Sequence, residues 1–301
     1  MSTTPPDTVD AADTAAALDV AAPAPPSPRA DALRLLLRSP SFVAGALIVA
    51  WWIVCAAAGP WFAPHDPYAV APLRSLLPPG PGHWCGTDGI GRDICSRVIV
   101  GARDILTIAP LATLAGTLAG AALGLVTGYF TGFAGTLVAR SLDAVLALPL
   151  VIVALFVLAA LGGSTLAVVL VIGVTFAPLV ARTVRAAVLE ERNLDYVAAA
   201  RLRGARAPYV MFAEILPNVW PPIVVEATVR LGYAIFAVAT LSFLGFGIEP
   251  PSADWGLALS ESYTLLAGGA WWTVAFDAAA IASLVVGVNF IADGVREALA
   301  S

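Results

Sequence analysis

The chain of 301 residues contains no lysine; all sixteen of its basic residues are arginine. A Walker-type phosphate loop needs a lysine on the nucleotide phosphates, so any ATP and Mg this protein uses must be held by another chain. Charge of either sign is scarce, at 12% of residues against about 25% in a soluble domain. The net charge of −5 carries little information, and no nucleic-acid partner is expected. There are only two histidines and three cysteines, with no spacing typical of metal ligands. His65 and His83 share one loop with Asp66 and Trp84 and read as solvated residues. No Ser or Cys sits in the motif context of an activated nucleophile. Neither a catalytic group nor a metal is therefore assigned, and the chain does not read as an enzyme.

What is abundant is apolar sequence: 59% of residues, with a mean hydropathy of +0.86. It comes in long runs, and about 20 apolar residues span a bilayer as a helix. The chain is thus read as an all-α polytopic membrane protein. Six spans are predicted, at 41–63, 105–130, 141–161, 165–181, 219–245 and 274–292. The first follows some forty mostly polar residues and is read as an uncleaved anchor rather than a signal peptide. Residues 1–32, rich in Ala, Pro, Asp and Thr, cannot bury a core and read as a disordered tail. Residues 33–104 are read as the first span and a Pro/Gly-rich loop, and 105–299 as the core that holds the other five spans. Gly116, Gly120, Gly124 and Gly128 recur every fourth residue, lining one helix face for close approach. That face fits either packing within the chain or a subunit interface.

Six spans put both termini on one side. With the termini inside, the inner segments carry eleven arginines and the outer loops four (Arg74, Arg92, Arg97 and Arg103). The positive-inside rule then places the termini and the 182–218 loop on the cytoplasmic side.

That loop contains a short polar helix. Asn193 can cap it. Asp195 in the first turn and Arg201 and Arg203 in the last complement the helix dipole. Gly204 suits the C′ position, and Pro208 discourages continuation. Ala198, Ala199 and Ala200 leave little bulk, and Val197, Ala200 and Gly204 share a face. Such a helix fits a groove on a partner protein or the surface of an anionic bilayer.

The run Tyr196-Val197-Ala198-Ala199-Ala200-Arg201, then Gly204, then Ile215-Leu216-Pro217-Asn218, resembles the EAA loop of ABC-importer permeases. The likeness is to the second permease subunit of the dipeptide/oligopeptide/nickel class. Ala198 stands where that family has its glutamate, with Glu190 and Glu191 upstream. Gly86-Thr87-Asp88, Gly91-Arg92-Asp93, Ser96-Arg97 and Gly101-Ala102-Arg103 match the family's outer-loop signature. Leu241 to Gly245, Pro250-Pro251, Trp255-Gly256, Asn289, Asp293-Gly294 and Arg296 match its later motifs. The likeness covers about 33–299.

The resemblance implies a type I ABC-importer permease fold and import of peptides or a related small solute. It makes 189–206 the coupling helix, with Glu190, Glu191, Tyr196 to Arg201, Arg203, Gly204, Leu216 and Pro217 serving the contact with an ATPase. The implied partners are a homologous permease in a heterodimer, two cytoplasmic ABC ATPases and an extracytoplasmic substrate-binding protein. Asp88, Arg92, Asp93 and Arg97 are candidate contacts for that binding protein.

Other features stay open. Glu226 and Arg230, four apart in the fifth span, either face the pathway or form a structural pair. Asp143 is expected to pair with Arg140. Cys85 and Cys95 lie on the predicted outer side, where disulfides persist, and are a candidate bridge. Trp84, Trp255, Trp271 and Trp272 read as an interfacial belt. The rival readings are an ion-driven secondary transporter, which would want intramembrane acids, and a membrane enzyme.

Overall fold

A computed structural model describes residues 36–162, 164–248 and 251–300; the tail at 1–32 lies outside them. Among the described residues there is no strand, only isolated bridges at Gly80–His83 and Thr87–Asp93. Helix α1 is Pro40–Phe62, with proline in its first turn and Ser39 as its cap. Helix α2 is Ile94–Tyr129, α3 Phe133–Leu146, α4 Leu150–Leu161 and α5 Thr165–Glu191. The short α6 is Asp195–Leu202. Helix α7 runs over Ala207–Phe243, α8 is Trp255–Ser262 and α9 Trp272–Ala300.

Helices α1, α2, α5, α7 and α9 are each long and apolar enough to cross a membrane. The expected single span at 141–161 is instead broken: α3 and α4 meet at 89°. Pro149 is the cause. It has no N–H to donate, and it disfavours helical geometry at Leu148. Helix α4 restarts with Pro149 as its extended N-cap.

The glycine stripe settles how α2 packs. A Cβ at Gly116 would lie 2.9 Å from the Gly173 carbonyl oxygen, at Gly120 2.6 Å from that of Ala177, and at Gly124 2.7 Å from that of Ala181. Gly128 meets Val188 in the same way. The stripe is therefore packing inside the chain, between α2 and α5. Both residue numbers rise together, so these helices run parallel. Chain leaving α2 must return before α5 begins. Thr165 lies eight residues before Gly173 and so is level with about residue 108 of α2. At 1.5 Å per residue the return covers about 30 Å, the thickness of a hydrocarbon core. The bent α3–α4 pair makes that crossing, giving six in all.

Helices α1 and α9 are antiparallel: Gly45 packs on Gly287 and Phe290, and Phe42 on Gly294. The two ends of the described chain thus lie at one end of the bundle. Trp52 of α1 donates to Ser283 Oγ of α9 at 3.0 Å and sits edge-on to Trp255. The helix α2 begins eleven residues before the predicted span, because Asp93 caps it through the Ser96 N–H at 2.9 Å. The polar start of α2 looked like loop in sequence, but Arg97 is buried there.

Candidate functional site

Two polar regions stand at opposite ends of the bundle. At one end, α6 bridges α5 and α7. Its backbone closes in a Schellman motif: the Gly204 N–H donates to Arg201 O at 2.9 Å and the Ala205 N–H to Ala200 O at 3.1 Å. Gly204 has φ +79°, which glycine adopts at little cost. The N-terminus differs from expectation. Leu194 is the N-cap, with no side-chain bond. Asn193 turns back to donate to Leu189 O at 2.9 Å, ending α5 instead of starting α6.

The predicted docking face also needs correction. Val197 and Ala200 are fully buried against Val184, Val188, Val210 and Ile215 of this chain. What α6 presents outward is Asp195, Ala198, Arg201 and Leu202, followed by Arg203 and Gly204; Ala199 is half-buried. Tyr196 is a tie rather than a free contact. Its hydroxyl donates to Glu191 at 2.7 Å and accepts from Asn218 at 2.9 Å. Desolvation and the neighbouring Glu191 carboxylate push this phenol up to about 12. Of the remaining candidates, Glu190 and Pro217 are exposed and Leu216 is half-buried.

Sequence reading did not single out four partners here: Arg192, Tyr129, Glu214 and Asn218. Arg192 donates to Gly128 O at 3.2 Å, Tyr129 O at 3.0 Å and Thr131 Oγ1 at 3.0 Å, so a cation closes the carbonyl end of α2. Arg201 lies over the Tyr129 ring at 4.9 Å. Glu214 faces Arg203 at 3.7 Å. Only Asn218 had a signal, as the residue after Leu-Pro. Nearby, residues 210–215 form a π-helical stretch at the start of α7. Pro217, which cannot donate back into that turn, fits this local widening.

At the other end, residues 63–93 fold over the start of α2. Asp88 Oδ1 accepts from the backbone N–H of Ile90 and Arg92 at 3.0 and 2.9 Å. Arg92 bridges Asp88 and Glu261. Arg97 donates to Ser252 O at 3.1 Å. Asp88, Asp93 and Arg97 are buried and Arg92 is half-buried. These candidates for binding-protein contact therefore face inward, locking the loop to α2 and α8. A Cβ at Gly91, whose φ is +84°, would lie within a bond length or so of the Ala71 carbonyl oxygen, so only glycine fits that turn.

The tryptophans divide. Trp255 is fully buried and donates to Val98 O at 2.9 Å; Trp272 donates to Thr87 O at 3.2 Å. Of the four predicted belt residues, Trp84 and Trp271 are exposed. Cys85 and Cys95 are free thiols, not a bridge. They lie in hydrogen-bonding contact, and that contact together with burial raises the Cys85 thiol.

The histidines depart most from expectation. His65, His83 and Asp93 present ligand atoms that all lie within 4.8 Å of one another. Eighteen residues separate the two histidines, so no short spacing signalled this. Burial opposes ionisation of Asp93, but hydrogen bonds from Ser96 and His83 prevail and hold its carboxyl below the ordinary range.

Between the ends, Arg230 donates to Glu226 at 2.7 Å. Arg230, Arg182, Tyr233, Thr175 and Thr240 line a cavity of about 580 Å³ between the α3–α5 segment and α7; Glu226 does not line it. Arg140 and Asp143 pair at 3.9 Å on the surface.

Six crossings, a buried glycine-packed helix pair and a short polar helix rooted between two spans are the frame of a permease subunit. The chain belongs to the family described as binding-protein-dependent transport system inner membrane component, whose model matches residues 120–301. A second match, the N-terminal TM domain of oligopeptide transport permease C, covers 27–79. The chain is 39% identical to the dipeptide transport system permease protein DppC of Escherichia coli K12, across 93% of this chain and 95% of that one. It is 36% identical to the di/tripeptide permease DppC of Pseudomonas aeruginosa, across 91% and 92%. Among solved structures, an inward-facing MetNI methionine ABC transporter matches with a TM-score of 0.55 and 20% identity, covering 67% of this chain and 96% of that one; that likeness shows the fold. The protein is thus a membrane-spanning subunit of an ABC importer, and the ion-driven transporter is set aside.

Proposed function

We propose that this subunit forms half of a pathway for di- or oligopeptides. A homologous permease forms the other half, two ABC ATPases bind on the cytoplasmic side and a substrate-binding protein delivers from outside. The relatives named for dipeptides support the cargo. The excess of arginine at the α6 end supports placing that end, and both termini, in the cytoplasm.

One observation carries the reading: α6 is rooted by Val197 and Ala200 while Ala198, Arg201, Leu202 and Arg203 stand outside the bundle. Leu202 is 89% exposed, an apolar side chain offered beside cations. This face is the coupling surface for the ATPase. Glu191 and Tyr196 act by holding α6 to α7 through Asn218. In the pathway, Arg230 and Arg182 supply positive charge suited to a peptide carboxylate, with Glu226 holding the Arg230 guanidinium.

The test is crosslinking in the assembled importer. Ala198→Cys and Arg203→Cys are expected to capture the ATPase, and the parent complex to take up labelled dipeptide in an ATP-dependent way. Capture without dipeptide uptake refutes the cargo. Uptake without capture refutes the role of α6.

A further inference from the structure

We propose that His65, His83 and Asp93 form a binding site for one divalent d-block cation of the zinc class, on the loop that covers the start of α2. The proposal does not depend on which solute the importer carries.

Three ligands from distant positions converge on one point. His83 Nδ1 lies 2.7 Å from Asp93 Oδ1, and His65 Nδ1 lies 3.6 Å from the same oxygen. The rings lie side by side, 4.7 Å between centroids and inclined by 31°. Zinc bonds of about 2.0–2.2 Å in tetrahedral geometry set ligand atoms about 3.3 Å apart. The two observed distances to Asp93 straddle that value, and with all ligand atoms within 4.8 Å of one another the imidazoles need draw in only slightly. A plain hydrogen-bonded pair accounts for His83 but not for His65, because 3.6 Å is beyond a hydrogen bond. A cation between the three atoms gives every one of them a partner.

The surroundings fix the ligands in the way metal sites require. Asp93 Oδ2 accepts from the Ser96 N–H at 2.9 Å and from Ser96 Oγ at 2.6 Å. That leaves Oδ1 turned toward the imidazoles. The His65 backbone N–H donates to the same Ser96 Oγ at 3.0 Å. The His83 backbone is paired with Gly80 in both directions and accepts from the Gly86 N–H. Asp93 is 2% exposed in its side chain and His65 40%, so a cation enters from the His65 side. Three protein ligands leave a fourth position to water or to an incoming carboxylate. The two imidazole donors favour zinc, nickel or copper(II) over magnesium or calcium. The bound cation would staple residues 65, 83 and 93, closing the loop onto the α2 N-terminus.

The experiment uses the full chain in detergent, purified without a polyhistidine tag and dialysed against micromolar zinc chloride with excess magnesium. Elemental analysis should give one zinc per chain. Cobalt chloride should give the intense visible bands of a tetrahedral site. His65→Gln, whose ring makes no hydrogen bond to lose, and His83→Gln should each weaken zinc at least tenfold while keeping the parent's elution volume. A Cys85→Ser, Cys95→Ser double variant should bind zinc as the parent does. Absence of zinc at about ten micromolar, unchanged zinc in both His variants, or loss only in the cysteine variant each overturns the proposal.

Discussion

Gly120→Val tests the helix pair on which the bundle is built. A Cβ at Gly120 would sit 2.6 Å from the Ala177 carbonyl oxygen and 2.6 Å from Val180 Cβ. Ordinary carbon contacts lie at about 3.5–4.0 Å, so α2 and α5 must part by about 1 Å. Gly116, Gly124 and Gly128 lie in the same register. Parting at one position therefore loosens all four, and a gap of 1 Å forfeits up to about half of each contact's dispersion energy. Overpacking of this kind costs about 1–3 kcal/mol. Removing a helix-interior glycine returns at most about 0.5 kcal/mol when valine replaces it, so crowding wins. A net loss of about 1.5 kcal/mol lowers the midpoint by roughly 3–6 °C for a chain of this size. Thermal unfolding in detergent, read by monodisperse elution or tryptophan fluorescence, measures it. Gly268→Val is the control. No atom lies within 4 Å of its added carbon, and its shift should stay within about 0.5 kcal/mol. Equal midpoints for the two variants would refute the packing argument, and with it the deduction that α3–α4 must cross back.

The remaining predictions concern the polar ends. Gly204→Trp should leave membrane insertion intact yet abolish ATP-dependent uptake, because it obstructs the surface beside Arg203 and strains a residue at φ +79°; normal uptake counts against coupling there. Arg192→Ala removes the charged donor to the end of α2 and should cost about 1.5–3 kcal/mol, with Arg192→Lys recovering part of it in the same thermal assay. Tyr196→Phe should remove one phenol titrating near pH 12 from the alkaline absorbance difference spectrum. The fold favours the neutral phenol, so its contribution is complete below the ordinary value of about 10 and is lost as pH rises toward about 12; a phenol lost near pH 10 instead would refute the tie to Glu191.

The sequence made the helical class, the family and α6 legible, for identifiable reasons. Apolar runs betray spans, and Gly204 betrays a left-handed cap, because each is a local property. The break in the third span was marked by Pro149, but the hydropathy of the flanking residues is continuous across it and hid the bend. The start of α2 was misplaced because Arg97 looks like loop; its partner, the Ser252 carbonyl, is 155 residues away. The burial of Val197 and Ala200 was equally invisible. Helical periodicity puts them on one face but does not say whether that face meets a partner or the chain's own core. The meeting of His65, His83 and Asp93 depends on the path of the whole loop.

The inward turn of Val197 and Ala200 changes how a mechanical role for α6 has to work. A helix docked by that face would be held by the ATPase and only tethered to the permease. Here the reverse holds: the apolar face is embedded among Val184 and Val188 of α5 and Val210 and Ile215 of α7. Arg192 adds the end of α2 to the same junction. On the proposed coupling role, a push on Ala198, Arg201 and Leu202 would be delivered to three spans at once. Two of them, α2 and α5, are locked by glycine contacts too close to slide. The place left for movement is the α3–α4 pair, with its 89° bend and its cavity toward Arg230. On this geometry the α2–α5 pair moves as one body and the broken crossing absorbs the strain. A disulfide joining α2 to α5, through Ala115→Cys and Gly173→Cys, should therefore leave uptake of the oxidised variant equal to that of the same variant reduced. Loss of uptake on oxidation, restored by reductant, would show that these two helices must slide and would refute the rigid pair.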